Sequence, residues 1–393
     1  MHGVNDRPRV LITNAEERSM LAVCRSLRQG GYDVTATSST MLAPAQWSRS
    51  CARRLRIVDA RSDASQFVEQ LRRELSRRSY ATLIAGSDSA LLAISQRRER
   101  LRELTELGLP APATIERVLS RESLAEAAEQ TGLVPAVSIA CVDIEQALTA
   151  ARRLGFPVVL KATKAASPSN QAVRGAPKGQ IVSTEADLVR RAHAFPDGLL
   201  IQRWAGDDLI SFGGVIGDGR LLGVAVSRYR RTWPPDGGSV AFGETIPPPA
   251  RLQEMVERLL IAIGWEGIFE LELIESAPGV FVPIDLNPRP YGSMTLAAAA
   301  GAPLARIWCD WLLGRDSQPA YARAGYRYRW EDGDLRHAIW QLRRGHLRSA
   351  LGPLRPHRGV IHAHFKGSDP LPLLARGLYM GKMLWQEGRV RAR

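Results

Sequence analysis

Between Gly267 and Asn287 the chain reads GIFELEL, then a Pro-Gly turn, then PIDLN, two runs in which apolar and acidic residues alternate. A period of two demands extended backbone with one face against a core, and the intervening turn makes the runs a hairpin. Glu270 and Glu272 then share a face, as do Asp285 and Asn287, and a matched register brings an acid from each strand together. Converging carboxylate and carbonyl oxygens repel one another unless a hard cation sits among them. Mg²⁺, held by few protein oxygens and by substrate phosphates, is the usual solution. The spacing alone also fits a solvated hairpin with surface acids.

The hairpin ends a strand-rich stretch. Runs at 199–202, 209–216, 221–226, 269–274 and 280–286, with turns at 217–219 and 277–279, predict an antiparallel sheet with helices. Upstream the pattern differs. The run RVLIT at 9–13, a helical period over 16–28, the stop Gly30-Gly31 and a strand at 33–37 make a βαβ opening. Short strands at 55–58 and 82–85, with a helix at 67–77 between them, complete an α/β parallel-sheet domain over residues 1–110. Its first turn, TNAEER, lacks the G-x-G-x-x-G that lets a pyrophosphate approach a helix N-terminus, so no dinucleotide is expected there. Leu109-Pro110-Ala111-Pro112 punctuates the chain. Helices at 116–130 and 144–154 and the strand bearing Lys161 make residues 111–198 a linker with a first α+β lobe. Residues 199–314 form the second, and 315–393 read as helical and arginine-rich.

The 393 residues are 45% hydrophobic and 24% charged, the balance of an ordinary globular protein with two or three domains. Cys24, Cys51, Cys141 and Cys309 are far apart with no zinc-type spacing, so the thiols are expected to be reduced and the setting cytoplasmic. MHGVNDRPRV has no apolar leader, and the weakly polar stretch 295–305 is too short to span a bilayer. A formal charge of +13 raises nucleic acid as a partner. The excess, however, is arginine spread along most of the chain, with no basic stripe interleaved with aromatics. Compositional bias comes first, attraction of an acidic substrate second and nucleic-acid binding last.

Three further segments carry chemistry. Lys161 leaves an apolar strand, PVVLKA, ahead of a loop in which Lys164, Arg174 and Lys178 and small residues could wrap phosphates; a snorkelling lysine beside a basic loop fits as well. In LLIQRWAGDD, over 199–208, a strand end can read an adenine edge and an acid can accept ribose hydroxyls, although Trp204 alone also suits a core. The segment 228–238, RYRRTWPPDGG, offers Arg228 and Arg231 as a carboxylate clamp on a loop, or as solvated surface arginines.

In this order and spacing the pieces resemble the ATP-grasp superfamily, in particular its carboxylate-amine ligase branch, from about Arg9 to Gly314. The motif Asp285-x-Asn287-Pro288-Arg289 beside an E-x-E strand is the most specific part. The resemblance implies a pre-ATP-grasp domain closing near Gly86-Ser87-Asp88, followed by α+β ATP-grasp lobes that hold ATP and Mg²⁺ between them. It matches Lys161 to a lysine on the ATP phosphates, Gln202, Arg203 and Trp204 to the strand lining adenine, and Asp208 to the ribose acid. Glu272, Asp285 and Asn287 match metal ligands, with Glu272 rather than Glu270 expected at the metal. Arg289 matches the arginine aimed at the transferring phosphoryl group, and Ser293 lies next to the substrate. Two departures stand out: Ser120-Arg121 replaces the usual Asp-Lys pair, leaving Arg121 as the second phosphate contact, and the loop after Lys161 is not the compact glycine-rich form. The implied activity is an ATP-dependent ligase that converts a small carboxylate, an amino acid or peptide, to an acylphosphate and joins it to an amine. A nucleotide-binding scaffold without turnover and a basic nucleic-acid-binding protein are the alternatives. Small-molecule substrates, no membrane and room for a homodimer complete the expectation.

Overall fold

The computed structural model describes residues 7–162, 179–195, 198–235, 237–315, 318–355 and 357–391. The N-terminal part alternates strands and helices: β1 (Arg9–Ile12), α1 (Arg18–Gln29), β2 (Asp33–Ser38), α2 (Pro44–Trp47), β3 (Cys51–Arg56), α3 (Ala64–Arg77), β4 (Thr82–Ile84) and α4 (Asp88–Gln96). The strands form a parallel sheet in the order β3-β2-β1-β4. Val10, Leu11 and Ile12 are all fully buried because helices cover both faces, which is why the run is continuously apolar rather than alternating. Asp63 and Ser87 start α3 and α4, each side chain accepting a backbone N–H two residues into its helix.

The helix expected at 116–130 is two helices, α5 (Pro112–Val118) and α6 (Arg121–Thr131). The break falls at Ser120, whose side chain accepts the Ser123 N–H and caps α6, so Arg121 opens the helix. There follow β5 (Ser138–Cys141), α7 (Ile144–Leu154), β6 (Val158–Ala162), β7 (Gln180–Val182), α8 (Glu185–Ala192) and β8 (Leu199–Arg203), with the strands in an antiparallel sheet of order β5-β8-β6-β7. A boundary at 199 would separate β8 from its sheet. Leu199 and Ile201 pack with Val158, Leu160 and Leu188 in a core of its own, so this lobe extends to Arg203.

The remaining elements are β9 (Leu209–Gly217), β10 (Arg220–Trp233), β11 (Ser239–Thr245), α9 (Leu252–Ile263), β12 (Gly267–Ala277), β13 (Val280–Asn287), α10 (Met294–Ala299), α11 (Leu304–Leu312), β14 (Ala320–Tyr321), β15 (Arg327–Arg329), α12 (Glu331–Arg343), α13 (Leu347–Leu351), β16 (Val360–His362) and α14 (Leu371–Arg391). The large sheet runs β13-β12-β9-β10-β11-β15-β16, with β14 beside β10. Two expectations are corrected here. Residues 228–233 are the end of β10, paired with β11, and not a loop; Tyr229 faces inward while Arg230 is exposed, and the arginines hid that alternation. Residues 315–393 are not only helical, since β14, β15 and β16 extend the sheet and Tyr328 is fully buried in it.

The hydrophobic core joins the first domain to the large sheet: Leu71 and Leu91 share a cluster with Leu124 of α6, Leu259 of α9, Phe212 of β9 and Phe269 of β12. A second cluster sets α1 against α10 and α11. The hairpin therefore shares a packed core with the first domain and one sheet with the C-terminal strands.

Candidate active site

The β12–β13 register pairs Glu270 with Asn287 and Glu272 with Asp285, so all four residues occupy one face of the hairpin. On its other side β12 pairs with β9, placing Gly213 against Glu270 and Ser211 against Glu272. Ser211 Oγ donates to Glu270 Oε1 at 2.7 Å, and Asn287 Nδ2 donates to Glu270 Oε2 at 3.2 Å. The Tyr229 hydroxyl lies 3.0 Å from Glu270 Oε1 and 3.2 Å from Glu272 Oε1. Burial, then the two carboxylates, push the Tyr229 pKa well up, so the phenol keeps its proton and donates it between them. Both glutamates are buried and line a cavity of about 230 Å³ together with Asn287, Arg289 and Tyr229. Glu270 thus lines the same cavity as Glu272. The i, i+2 spacing already implied it.

Asp285 turns toward the smaller lobe. Its carboxylate is 3.7 Å from the Arg121 guanidinium, which donates to the Ala162 carbonyl at 2.9 Å. Lys161, buried on β6, donates from Nζ to the Ile284 carbonyl at 2.8 Å, beside Asp285. Lys161, Arg121 and Asp285 therefore meet where the two lobes face each other. Arg289 is held by Asp88 of the first domain, at 2.6 Å from Nε, and by Asn287 Oδ1 at 3.1 Å from Nη2. Burial opposes its charge, but the Asp88 carboxylate outweighs burial and raises its pKa, so the guanidinium stays charged.

The other expected residues distribute as follows. Gln202 is buried on β8, Arg203 is exposed at the end of that strand, and Trp204 is half-buried with a buried indole N–H that lacks a partner among the described residues. Asp208 is paired with Arg228 at 2.9 Å, and Arg228 also donates to Glu275 at 2.8 Å. Arg231 is bound to the buried Asp334 and lies over the Phe242 ring. Neither Arg228 nor Arg231 lines the cavity of Glu270 and Asn287, so the structure does not bring the expected carboxylate clamp to it. Ser293 is buried just ahead of α10. Lys164, Arg174 and Lys178 lie outside the described residues. Residues the sequence did not single out also reach the cavity: Arg18 and Ser19 at the start of α1, and Trp330, His364 and Arg376 from the C-terminal segment.

Among the described residues no group of three or more His, Cys, Asp and Glu side chains forms a metal cage. Glu272 and Asp285, paired in register, with the amide oxygen of Asn287 are the residues that could hold Mg²⁺ shared with phosphates rather than in an all-protein site.

No protein-family profile matches the chain. In sequence it is 26% identical over 230 residues, 54% of its length, to the carbamoyl phosphate synthase large chain of Vibrio cholerae. It spans about a fifth of that protein, 20% of its length. In structure it superimposes on N5-carboxyaminoimidazole synthetase of Staphylococcus aureus complexed with ADP, with a TM-score of 0.61 and 13% identity, covering 83% of this chain and 82% of that one. The biotin carboxylase domain of Hydrogenobacter thermophilus 2-oxoglutarate carboxylase, in a complex containing MgADP and bicarbonate, gives a TM-score of 0.61 at 18% identity over 81% and 73% of the two chains. These proteins share the ATP-grasp fold, and the chain has it. Among the described residues no helix is long and apolar enough to cross a membrane.

Proposed function

We propose that this chain is an ATP-dependent ligase that phosphorylates a small carboxylate and joins it to an amine, in the cytoplasm. The observation that carries the reading is the hairpin face on which Glu270, Glu272, Asp285 and Asn287 are brought together between Lys161 and Arg289. ADP and MgADP complexes of proteins with this fold support it, as do four cysteines without disulfides for the setting.

In this reading Glu272, Asp285 and Asn287 hold the Mg²⁺, which neutralises phosphate charge when bound. Lys161 and Arg121 contact the ATP phosphates, Gln202, Arg203 and Trp204 line the adenine, and Asp208 takes the ribose. Ser293 stands beside the substrate. A substrate carboxylate oxygen attacks the γ-phosphorus of ATP; the new O–P bond forms as the bond to the β-phosphate oxygen breaks, and ADP leaves. The amine nitrogen then attacks the acyl carbon, a C–N bond forms, the C–O bond to phosphate breaks, and the nitrogen gives up a proton. Arg289, charged and pinned by Asp88 and Asn287, stabilises the charge that develops on the transferring phosphoryl group. Little side-chain acid–base chemistry is required.

A panel of acids and amines with Mg²⁺-ATP tests this. The correct acid should give ADP, and hydroxylamine should trap a hydroxamate. Release of AMP and pyrophosphate would mean adenylate chemistry and overturn the mechanism.

A further inference from the structure

The cavity has two walls of opposite character. One is the hairpin with Glu270, Glu272 and Asn287; the other, which the ligase reading leaves without a role, is made by the start of α1 and by the C-terminal segment. On this second wall the Arg18 guanidinium carbon lies 3.9 Å above the Trp330 ring, and its position is one that a Cβ on Gly292 would occupy. Gly292 is not needed for a left-handed turn. Its missing side chain is what lets Arg18 lie flat between backbone and indole. The Arg18 Nε, the Trp330 indole N–H and the Nε2 of His364 are all buried and have no hydrogen-bond partner among the described residues. His364 itself is 1% exposed. Glu331 lies 3.3 Å from its Nδ1, which leaves Nε2 as the ring atom without a partner there. The first turn of α1 has no side-chain cap, and its Arg18 and Ser19 line the same wall.

Buried polar groups without partners are costly, and here three of them stand around a cavity with a cation and an uncapped helix start among them. We propose that Arg18, Trp330, His364 and the first turn of α1 bind a carboxylate group of the small-molecule substrate. The choice of carboxylate over phosphate follows from charge. Glu16, Glu17, Glu270 and Glu272 line the same cavity and disfavour a dianion more than a monoanion. At about 230 Å³ the space is also below the roughly 300–1,000 Å³ of pockets for drug-sized ligands, which suits a small carboxylate. This rests on the ligase reading for the word substrate, but the binding it asserts does not need ATP.

The test is therefore calorimetry on the full chain without nucleotide, with acetate, succinate, L-alanine and inorganic phosphate as probes. At least one carboxylate probe should bind with a stoichiometry of one and more tightly than phosphate. Arg18→Met, His364→Phe and Gly292→Ala should each weaken it about tenfold or more, whereas Arg152→Met, which alters an exposed ion pair with Glu185, should leave it unchanged. Circular dichroism checks folding, and where one variant fails to fold the other two read the same wall. Failure of all three carboxylates to bind, tighter binding of phosphate, or wild-type affinity in the folded variants would overturn the proposal. Carboxylate binding without ADP release would instead count against the ligase reading alone.

Discussion

Glu270 carries three hydrogen-bonding neighbours, Ser211, Tyr229 and Asn287, and through Asn287 it is one step from Arg289. Its carboxylate fixes which way the Asn287 amide faces: Nδ2 toward Glu270 and Oδ1 toward Arg289. Removing it leaves the buried Ser211 hydroxyl without its acceptor, leaves Tyr229 with Glu272 alone and frees the amide to turn. Glu270→Ala is therefore expected to lose turnover at least as severely as Glu272→Ala, both on the order of 100-fold, as is typical when one preorganised electrostatic contact is removed. Asp285→Ala and Asn287→Ala should fall in the same range. Steady-state ADP release on variants with wild-type circular dichroism checks this, and near wild-type turnover in Glu270→Ala would return that residue to a purely structural role.

At the scale of elements, the sequence was most readable where side-chain periodicity is uninterrupted. The apolar run at β1, the alternation of β12 and β13 and the period of α7 each name one backbone conformation. It was least readable where arginine obscures the period. In β10 the inward Tyr229 sits among Arg228, Arg230 and Arg231, and in β15 Arg327 and Arg329 flank the buried Tyr328. The proposed metal residues were legible because a short-range register decides which face they share. Arg18 and His364 were not, because 346 positions of sequence separate two groups that only tertiary packing brings to one wall. The turn before α14 was also unreadable for this reason. Asp369 there accepts from Arg25 Nε at 3.0 Å, from Ser48 Oγ at 2.6 Å and from the Arg49 N–H at 2.9 Å. Burial works against its charge, but these donors prevail and lower its pKa. A carboxyl with a depressed folded pKa stabilises above its unfolded pKa, about 3.9, and that contribution fades as pH falls through the lower folded value. Asp369→Ala leaves buried Arg25 without its carboxylate and should destabilise the chain by about 3–5 kcal/mol at pH 7. Urea unfolding should show the gap to wild type narrowing only below about pH 4. A gap independent of pH would mean that packing, and not the ion pair, is what Asp369 supplies.

For the molecule as a whole, these contacts decide whether residues 315–393 are an appendage or part of the fold. The first domain is held from the C-terminal side by Arg25 to Asp369 and from the large lobe by Arg289 to Asp88. The large sheet is continued past β11 by β15 and β16, and the Tyr328 hydroxyl donates to the Gly292 carbonyl at 2.9 Å, behind the hairpin that carries Asn287 and Arg289. Ending the chain at Gly314 would expose the β11 edge, where Phe242, Gly243 and Glu244 pair with β15, and an uncovered edge with apolar side chains invites association between chains. It would also strand Arg231 without Asp334 and Arg25 without Asp369. The expected outcome is that a chain of residues 1–314 is aggregated on size-exclusion chromatography, lacks a cooperative thermal transition and does not bind an ATP analogue, although every residue proposed here to contact ATP or Mg²⁺ is still present. A monomeric 1–314 chain that melts cooperatively and binds the analogue as the full chain does would show that the C-terminal strands serve substrate selection alone, and that the ATP-grasp lobes fold without them.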